Sequence, residues 1–429
     1  MSIKPWGEIK DPVHGYIYIN ELEKHLIDLP PMQRLRRIRQ LSAAYLTYPG
    51  AEHTRFNHSL GVMQIAGEIA DHLRELGVLN EEDVSKARLA GLLHDVGHGP
   101  FSHLYEEVLE KRGVTHEDLS RLVIRESEVS EVLKAQGYDV NEISKLSTGV
   151  LNSEPLLNQI IAGQFSADVM DYLVRDSYFT GVEYGRIDIK RLINSLDVMD
   201  RRLVMDIASL YALEAFMIAR YEMFKAVYFH RTVRAAAVML VRAMKYVDDK
   251  LGLSSFRTVN EFLEMDDSSL MNRLLSLKGA RDKSSRIAYE LSVDFRNRRL
   301  LKCAYEKIVH RREPFFLNIL NRGEVRNDLE NDIACRAGVD PNFVMIDVST
   351  ATSVPQSSER RMDEPKIFSK TSEGSKNILL FRDFSPVVSS LTGYLDIIRV
   401  YTRQEDLEPV KKSVRELFDR ESTATKISY

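Results

Sequence analysis

Cysteine is almost missing from this chain: two residues in 429, Cys303 and Cys335. So few exclude a disulfide framework and agree with a reducing compartment. Long apolar runs are missing too. The longest, such as Ala235 to Val241, are far too short to span a bilayer, and Met1 to Trp6 has no apolar core of a signal peptide. The expectation is a soluble, cytoplasmic protein with no membrane association. Charge of one sign is not in excess either. Lys+Arg total 59 against 63 Asp+Glu, a net charge of -4. Bulk charge therefore indicates neither nucleic acid nor membrane as a partner, and any anion site must be local. No internal repeat is evident. What the chain does have is length and 44% hydrophobic residues, enough for one large core and a smaller lobe.

Hydrophobic spacing predicts a mainly α protein. Residues 8 to 20 alternate around His14-Gly15 and read as a short β-hairpin at an edge. Helices are expected at Leu22 to Leu29, ended by Pro30-Pro31, and at Met32 to Leu41, which carries Arg34, Arg36, Arg37 and Arg39. From Asn57 to Arg312 nearly every segment has helical periodicity: 84 to 94, 103 to 111, 116 to 125, 155 to 163, 207 to 247 and 283 to 311. After Pro314 strands appear at Phe343 to Val348, Ile378 to Phe381 and Ile397 to Tyr401, with helices at Val325 to Ala337 and Leu407 to Phe418. The expected organisation is an N-terminal unit over 1–50, a helical core over 51–312 and a small α/β lobe over 313–429. Within that lobe Ser349 to Lys376 reads as a mobile loop, and the tail from Glu421 as frayed.

Three stretches carry chemistry. In Leu89 to His103 an apolar helix runs into Gly97, Gly99 and Pro100, and a helical reading sets His94 and His98 on one face. In Thr54 to Gly61, Asn57 or Ser59 is the expected helix cap and His58 lies in the first turn. In Ser166 to Asp176 helical spacing sorts the acids: Asp168, Tyr172 and Asp176 share a stripe, while Asp171 pairs with Arg175 in a surface or interhelix salt bridge. The metal set is thus His58, His94, Asp95 and Asp168, with Asp171 left structural. Two imidazoles and two carboxylates suit a divalent ion of the iron, manganese, zinc, nickel or magnesium kind. Such an ion acidifies water and polarises a phosphoryl oxygen, which points to phosphate-ester hydrolysis.

The patterns Arg55 to Gly61, His94 to His103, Thr115-His116-Glu117 and Asp168 to Asp176 resemble the HD-domain phosphohydrolase superfamily. The nearer resemblance is to the catalytic core of the SAM and HD domain dNTP triphosphohydrolase and its prokaryotic relatives. It extends to Asp11-Pro12-Val13-His14-Gly15, Gln33 to Leu41 and Ile397 to Tyr401, nearly the whole chain. The resemblance implies an HD-domain helical core and cleavage of a deoxynucleoside triphosphate to deoxynucleoside and tripolyphosphate. Alternatives are an HD enzyme acting on another nucleotide or a phosphomonoester, and a catalytically silent nucleotide-binding regulator.

Site roles follow, and the resemblance supports each. Arg55, His98 and His103 are candidates to bind phosphate oxygens or orient water, and His116, followed by Glu117, to protonate the leaving oxygen. The resemblance assigns Gln40, Leu41, Tyr172 and Asp176 to the nucleoside, and His230 and Arg231 to the nucleotide's vicinity. It also implies a homo-oligomer, dimer or tetramer, with a GTP or dGTP activator read by Asp28, Gln33 and Arg36 and by Arg298 and Lys302 of another subunit. Three positions depart from the pattern: Val169 replaces a lysine, Ala226 an arginine and Arg234 a tyrosine. Arg234 is a candidate to restore a cation.

Overall fold

The computed structural model describes residues 5–151, 153–311, 323–352, 366–370, 376–391 and 394–418. It opens on a hairpin, β1 (Gly7–Asp11) and β2 (Gly15–Ile19), whose register pairs Asp11 with Gly15 across a turn where Gly15 takes φ +76°. Alternation buries Ile17 and Ile19 and turns Tyr16 and Tyr18 outward. Asn20 then caps α1 (Glu21–Asp28) in a reciprocal box with Glu23. Leu29, forced extended by the following proline, ends that helix.

The centre of the molecule is the pair α2 (Arg55–Glu75) and α3 (Glu81–Leu93). Leu60 and Met63 of α2 join one apolar cluster, and Val62, Ile65 and Ile69 join another on the opposite side. α3 divides likewise, with Leu89, Leu92 and Leu93 to one cluster and Val84, Ala87 and Ala90 to the other. A helix flanked by apolar neighbours on both sides is a buried helix. Around this pair lie α4 (His103–Leu109), α5 (His116–Glu126), α6 (Ala167–Thr180), α7 (Leu210–Met223), α8 (Arg231–Leu251) and α9 (Lys283–Arg296). The C-terminal part adds α10 (Gly323–Ala337) and α11 (Leu407–Phe418). Among the described residues no helix is long and apolar enough to cross a membrane.

The fold is mainly α, as the periodicity predicts, but several boundaries differ. The expected helix over 32–41 stops early: a helical turn at Pro30–Arg34 and a tight turn at Leu35–Arg37 give way to extended Ile38. The backbone there pairs across the chain, Arg55 N–H to Ile38 O and Gln40 N–H to His53 O, so tertiary pairing replaces the next helical turn. α2 is capped by Thr54, with Asn57 three residues on, and not by Asn57 or Ser59. α3 ends at Leu93, so His94 and His98 do not share a helix face; Ser120 Oγ donates to His94 O and accepts from Gly97 N–H, taking bonds the helix would need. The stretch over 207–247 breaks into α7, a π turn at Phe224–Tyr228 and α8, whose cap is His230 accepting from Thr232 N–H at 3.2 Å.

Strands replace helix at two further places. β3 (Leu196–Met199) and β4 (Arg202–Asp206) form a hairpin inside the helical core. The segment after Arg296 turns at Arg298, φ +55°, and becomes β5 (Lys302–Arg311). β5 lies against β9 (Tyr394–Thr402), which pairs on its other edge with β6 (Met345–Thr352), so the C-terminal sheet begins before residue 313. Part of the expected loop over 349–376 is also ordered strand: β7 (Lys366–Lys370) runs parallel to β4 and pairs with β8 (Lys376–Leu380). The remainder of that loop, 353–365 and 371–375, and the tail from Glu421 lie outside the described residues.

Candidate active site

His58 in the first turn of α2, His94 just past the end of α3, Asp95 beside it and Asp168 in the first turn of α6 converge. The two imidazole Nε2 atoms are 3.3 Å apart. Asp168 Oδ1 is 3.0 Å from His58 Nε2 and 4.0 Å from His94 Nε2. Asp95 Oδ1 is 3.2 Å from His94 Nε2, and its Oδ2 is 3.8 Å from His58 Nε2. The other ring nitrogens fix the tautomers. His94 Nδ1 is 2.8 Å from the Gly91 carbonyl, which only accepts, so Nδ1 carries the proton and Nε2 a lone pair. His58 Nδ1 faces Asp171 Oδ2 at 2.7 Å and likewise carries a proton, so that with an ion bound its Nε2 would present the lone pair. His58, His94 and Asp95 set their ligand atoms close enough to share one cation, with Asp168 against the two imidazoles; the donor set fits a divalent metal and leaves its identity open. Burial alone would lower the His58 pKa, but its hydrogen bonds to Asp168 and Asp171 outweigh that and lift it to about 10. A bound ion would take that proton's place.

Asp171 is not on the surface. It is fully buried, accepts from Arg175 at 2.8 and 3.0 Å and from His14 at 2.5 Å, and orients His58. Arg175 reaches on to Asp11 at 2.8 Å. Gly61 makes this possible, because a Cβ there would sit 1.9 Å from Asp171 Oδ1. The expected Asp171–Arg175 pair is therefore an interior network that ties the N-terminal hairpin to a candidate ligand, and Asp95 is held on the other side. Arg55 donates from Nη1 to Asp95 Oδ2 at 2.7 Å and from Nε to Ser102 Oγ at 2.9 Å. Burial opposes ionisation of Asp95, yet Arg55, then His94 and His98, keep its carboxyl well below the usual range.

Beside the cluster, His98, His103 and His116 surround Glu106. Glu106 Oε1 is 2.8 Å from His116 Nδ1, 2.9 Å from His103 Nδ1 and 3.8 Å from His98 Nδ1. These four could also hold a cation. The His116 approach is close but bent, short of a well-aligned hydrogen bond. His98 stacks on His116 with ring centroids 4.1 Å apart and sets Nε2 3.2 Å from Asp95 Oδ1. Burial, then the Arg55 charge, pushes the His98 pKa well down and leaves it neutral. His116 goes the other way: burial pulls its pKa down, but Glu106 outweighs it. Glu117 Oε2 lies 3.4 Å from His116 Nδ1. Gly97 lets α5 approach, since a Cβ there would be 2.0 Å from Ser120 N.

The remaining expected site residues fall in three groups. Tyr172 accepts from Arg220 Nη1 at 2.7 Å, Asp176 is bonded by His53 and Tyr228 at 2.7 Å each, Leu41 packs against the cluster containing Tyr172, and Gln40 Oε1 is buried without a partner among the described residues. His230 and Arg231 stand at the start of α8, Arg231 exposed and 3.9 Å from Glu306. Arg234 points to the C-terminal lobe and spends its guanidinium on Asp347, at 2.5 and 3.1 Å, which withdraws it as a replacement cation. Asp28 pairs with Lys24; Gln33 links Ile27 O to Arg36, which stacks on Phe56 at 3.6 Å; Arg298 donates to Leu46 O; and Lys302 is exposed at the start of β5. Sequence reasoning missed Glu106, whose signal was its three-residue helical spacing from His103. His14 and Asp11 were also missed as supports, though their motif was visible. His53 and Tyr228 reach Asp176 across the fold and leave no local pattern.

A helical core that gathers two histidines and two aspartates, one His-Asp pair adjacent, defines a protein of the HD type. An HD-domain family model matches residues 55–176, and a model of the HD-associated region matches 187–428. The chain belongs to the HD-domain phosphohydrolase family. It is 39% identical over 62% of its length to an uncharacterised protein of Methanocaldococcus jannaschii, and 39% identical over 55% to the uncharacterised YwfO of Bacillus subtilis. With the Dictyostelium discoideum homologue of the deoxynucleoside triphosphate triphosphohydrolase SAMHD1 the identity is 30% over 70% of this chain. The matches take in 57%, 54% and 60% of those relatives' own lengths, so the chain spans little more than half of each. Among solved structures, a hypothetical protein from Aquifex aeolicus superposes with a TM-score of 0.75 at 31% identity, covering 95% of this chain and 99% of that one. A phosphohydrolase from Bacteroides thetaiotaomicron gives 0.72 at 26%, covering 93% and 100%.

Proposed function

We propose that the chain is a metal-dependent phosphohydrolase that splits a deoxynucleoside triphosphate at the α-phosphate, yielding deoxynucleoside and tripolyphosphate. The observation that carries this reading is the convergence of His58, His94 and Asp95, with Asp168 3.0 Å from His58, beside a His116 whose pKa Glu106 raises. A divalent ion at the four donors would supply an acidified water and polarise the phosphoryl oxygen. The side chains do the rest. Asp171 and Gly91 O keep the His58 and His94 tautomers correct, and Arg55 steadies Asp95. The water oxygen bonds to the α-phosphorus as the bond to O5′ breaks. His116 gives its proton to O5′, and the proton shed by the water restores the balance. Gln40, Leu41, Tyr172 and Asp176 line the deoxyribose side.

The test is metal-loaded protein incubated with deoxynucleoside and ribonucleoside triphosphates, monophosphates and small phosphomonoesters, with the phosphate products separated. Tripolyphosphate from deoxynucleotides is the expected outcome. Orthophosphate from monoesters alone would move the activity to another HD phosphohydrolase class. Binding without turnover by metal-loaded protein would leave a nucleotide-binding regulator.

A further inference from the structure

We propose that Arg220, on α7, is the cation that receives a phosphate group of the bound substrate and so sets the preference for a polyphosphate. The proposal rests on the phosphohydrolase reading above. A polyphosphate brought to Asp95 and Asp168 adds negative charge to negative charge, so the pocket wall must supply uncommitted cations. The neighbouring arginines are committed. Arg55 serves Asp95, Arg175 serves Asp11 and Asp171, Arg39 serves Glu52, and Arg234 serves Asp347.

Arg220 differs. Among the described residues no carboxylate lies within 4.0 Å of it. Its Nη1 donates to the Tyr172 hydroxyl at 2.7 Å, and its Cζ lies 5.0 Å from the centroid of the Phe224 ring. Nε is shielded from water and meets no acceptor among the described residues, an arrangement that is costly unless an acceptor arrives. Tyr172 gives the location. It stands one helical turn from the candidate ligand Asp168 and one turn from Asp176 on the same face of α6, so a substrate spanning the cluster and the sugar side passes Arg220. A guanidinium fork with free N–H groups matches phosphate oxygens in geometry and charge.

The alternative is that Arg220 merely props Tyr172. Both are separated by binding of inorganic tripolyphosphate and of a deoxynucleoside to metal-loaded protein, measured by calorimetry for the parent, Arg220→Gln, Arg220→Lys and Tyr172→Phe, with metal content checked in each. Expected is a loss of at least about ten-fold in tripolyphosphate affinity for Arg220→Gln, the scale of a lost charge-assisted bond, with deoxynucleoside affinity and metal unchanged. In tripolyphosphate affinity Arg220→Lys, which keeps charge but not the fork, falls between, and Tyr172→Phe, whose contact is with the sugar side, stays within about two-fold of the parent. Tripolyphosphate affinity equal to the parent's in Arg220→Gln overturns the proposal, as does an equal loss in Tyr172→Phe. Should the parent release tripolyphosphate from no deoxynucleotide while Arg220-dependent anion binding persists, the triphosphohydrolase reading falls and this one stands.

Discussion

At the scale of single residues, the site separates side chains that would touch the ion from those that aim them. Asp95→Ala and Asp168→Ala are expected to lose the metal outright, read by elemental analysis of purified protein. Asp171→Ala removes no ligand but frees the His58 ring and leaves Arg175 and His14 without their shared acceptor. It is expected to weaken metal affinity by about 10- to 100-fold, the usual effect of losing a ligand's orienting partner. Full metal retention in Asp171→Ala would return that residue to a purely structural role. His116→Ala should keep its metal yet lose about 10² to 10⁴ in turnover on a nucleotide. A nitrophenyl phosphodiester, whose leaving group needs no proton, should be far less affected. Equal losses on both substrates would instead assign His116 to binding.

At the scale of elements, the loop between α3 and α4 holds the site's strain. Phe101 and Ser102 both take positive φ, +56° and +54°, conformations that cost a non-glycine residue energy and must be held from outside. Asp267 does this, accepting from Phe101 N–H at 2.7 Å and from Arg39 N–H at 3.1 Å. Burial lifts its carboxyl to about 6 despite those donors. A carboxyl raised above its unfolded value near 3.8 binds more protons folded than unfolded, so its contribution to stability is greatest below about pH 4 and falls as pH rises to about 6. Relative to Asp267→Asn, the parent should lose about 2–3 kcal/mol across that window, at about 1.4 kcal/mol per pH unit, and run parallel above it. Urea unfolding at several pH values tests this, and a difference that grows with pH in the parent's favour would reverse the assignment. Legibility follows the same divide. Amphipathic helices such as Leu407–Phe418, and the stripe of Asp168, Tyr172 and Asp176, were readable because 3.6-residue spacing is local. The ends of α3 and of the 30–37 turns were not, because Ser120 and residues 53–55 arrive from elsewhere in the chain to take the backbone bonds. β5 was lost for a similar reason: its apolar residues mimic a helix until β9 is beside them.

At the scale of the whole molecule, regulation by assembly is expected at Asp28, Gln33 and Arg36, with Arg298 and Lys302 arriving from another subunit. A nucleotide bridging subunits favours the assembled state by its differential affinity. Light scattering and activity with and without GTP and dGTP should show a dimer or tetramer gained with nucleotide, and Asp28→Ala with Arg36→Ala should lose that response. A nucleotide-stripped parent that is fully active, equally oligomeric and indistinguishable from the double variant would remove the activator site. A different coupling is already built into one chain. Asp11 and His14 of the N-terminal hairpin grip Arg175 and Asp171, and Asp171 grips His58. Whatever free energy a cation gains from an ordered His58 is therefore shared with the docking of that hairpin, and the sharing runs both ways. Protease resistance of the first strand then becomes a gauge of cation occupancy, and cutting the hairpin loose becomes a way to drain the site without touching a ligand.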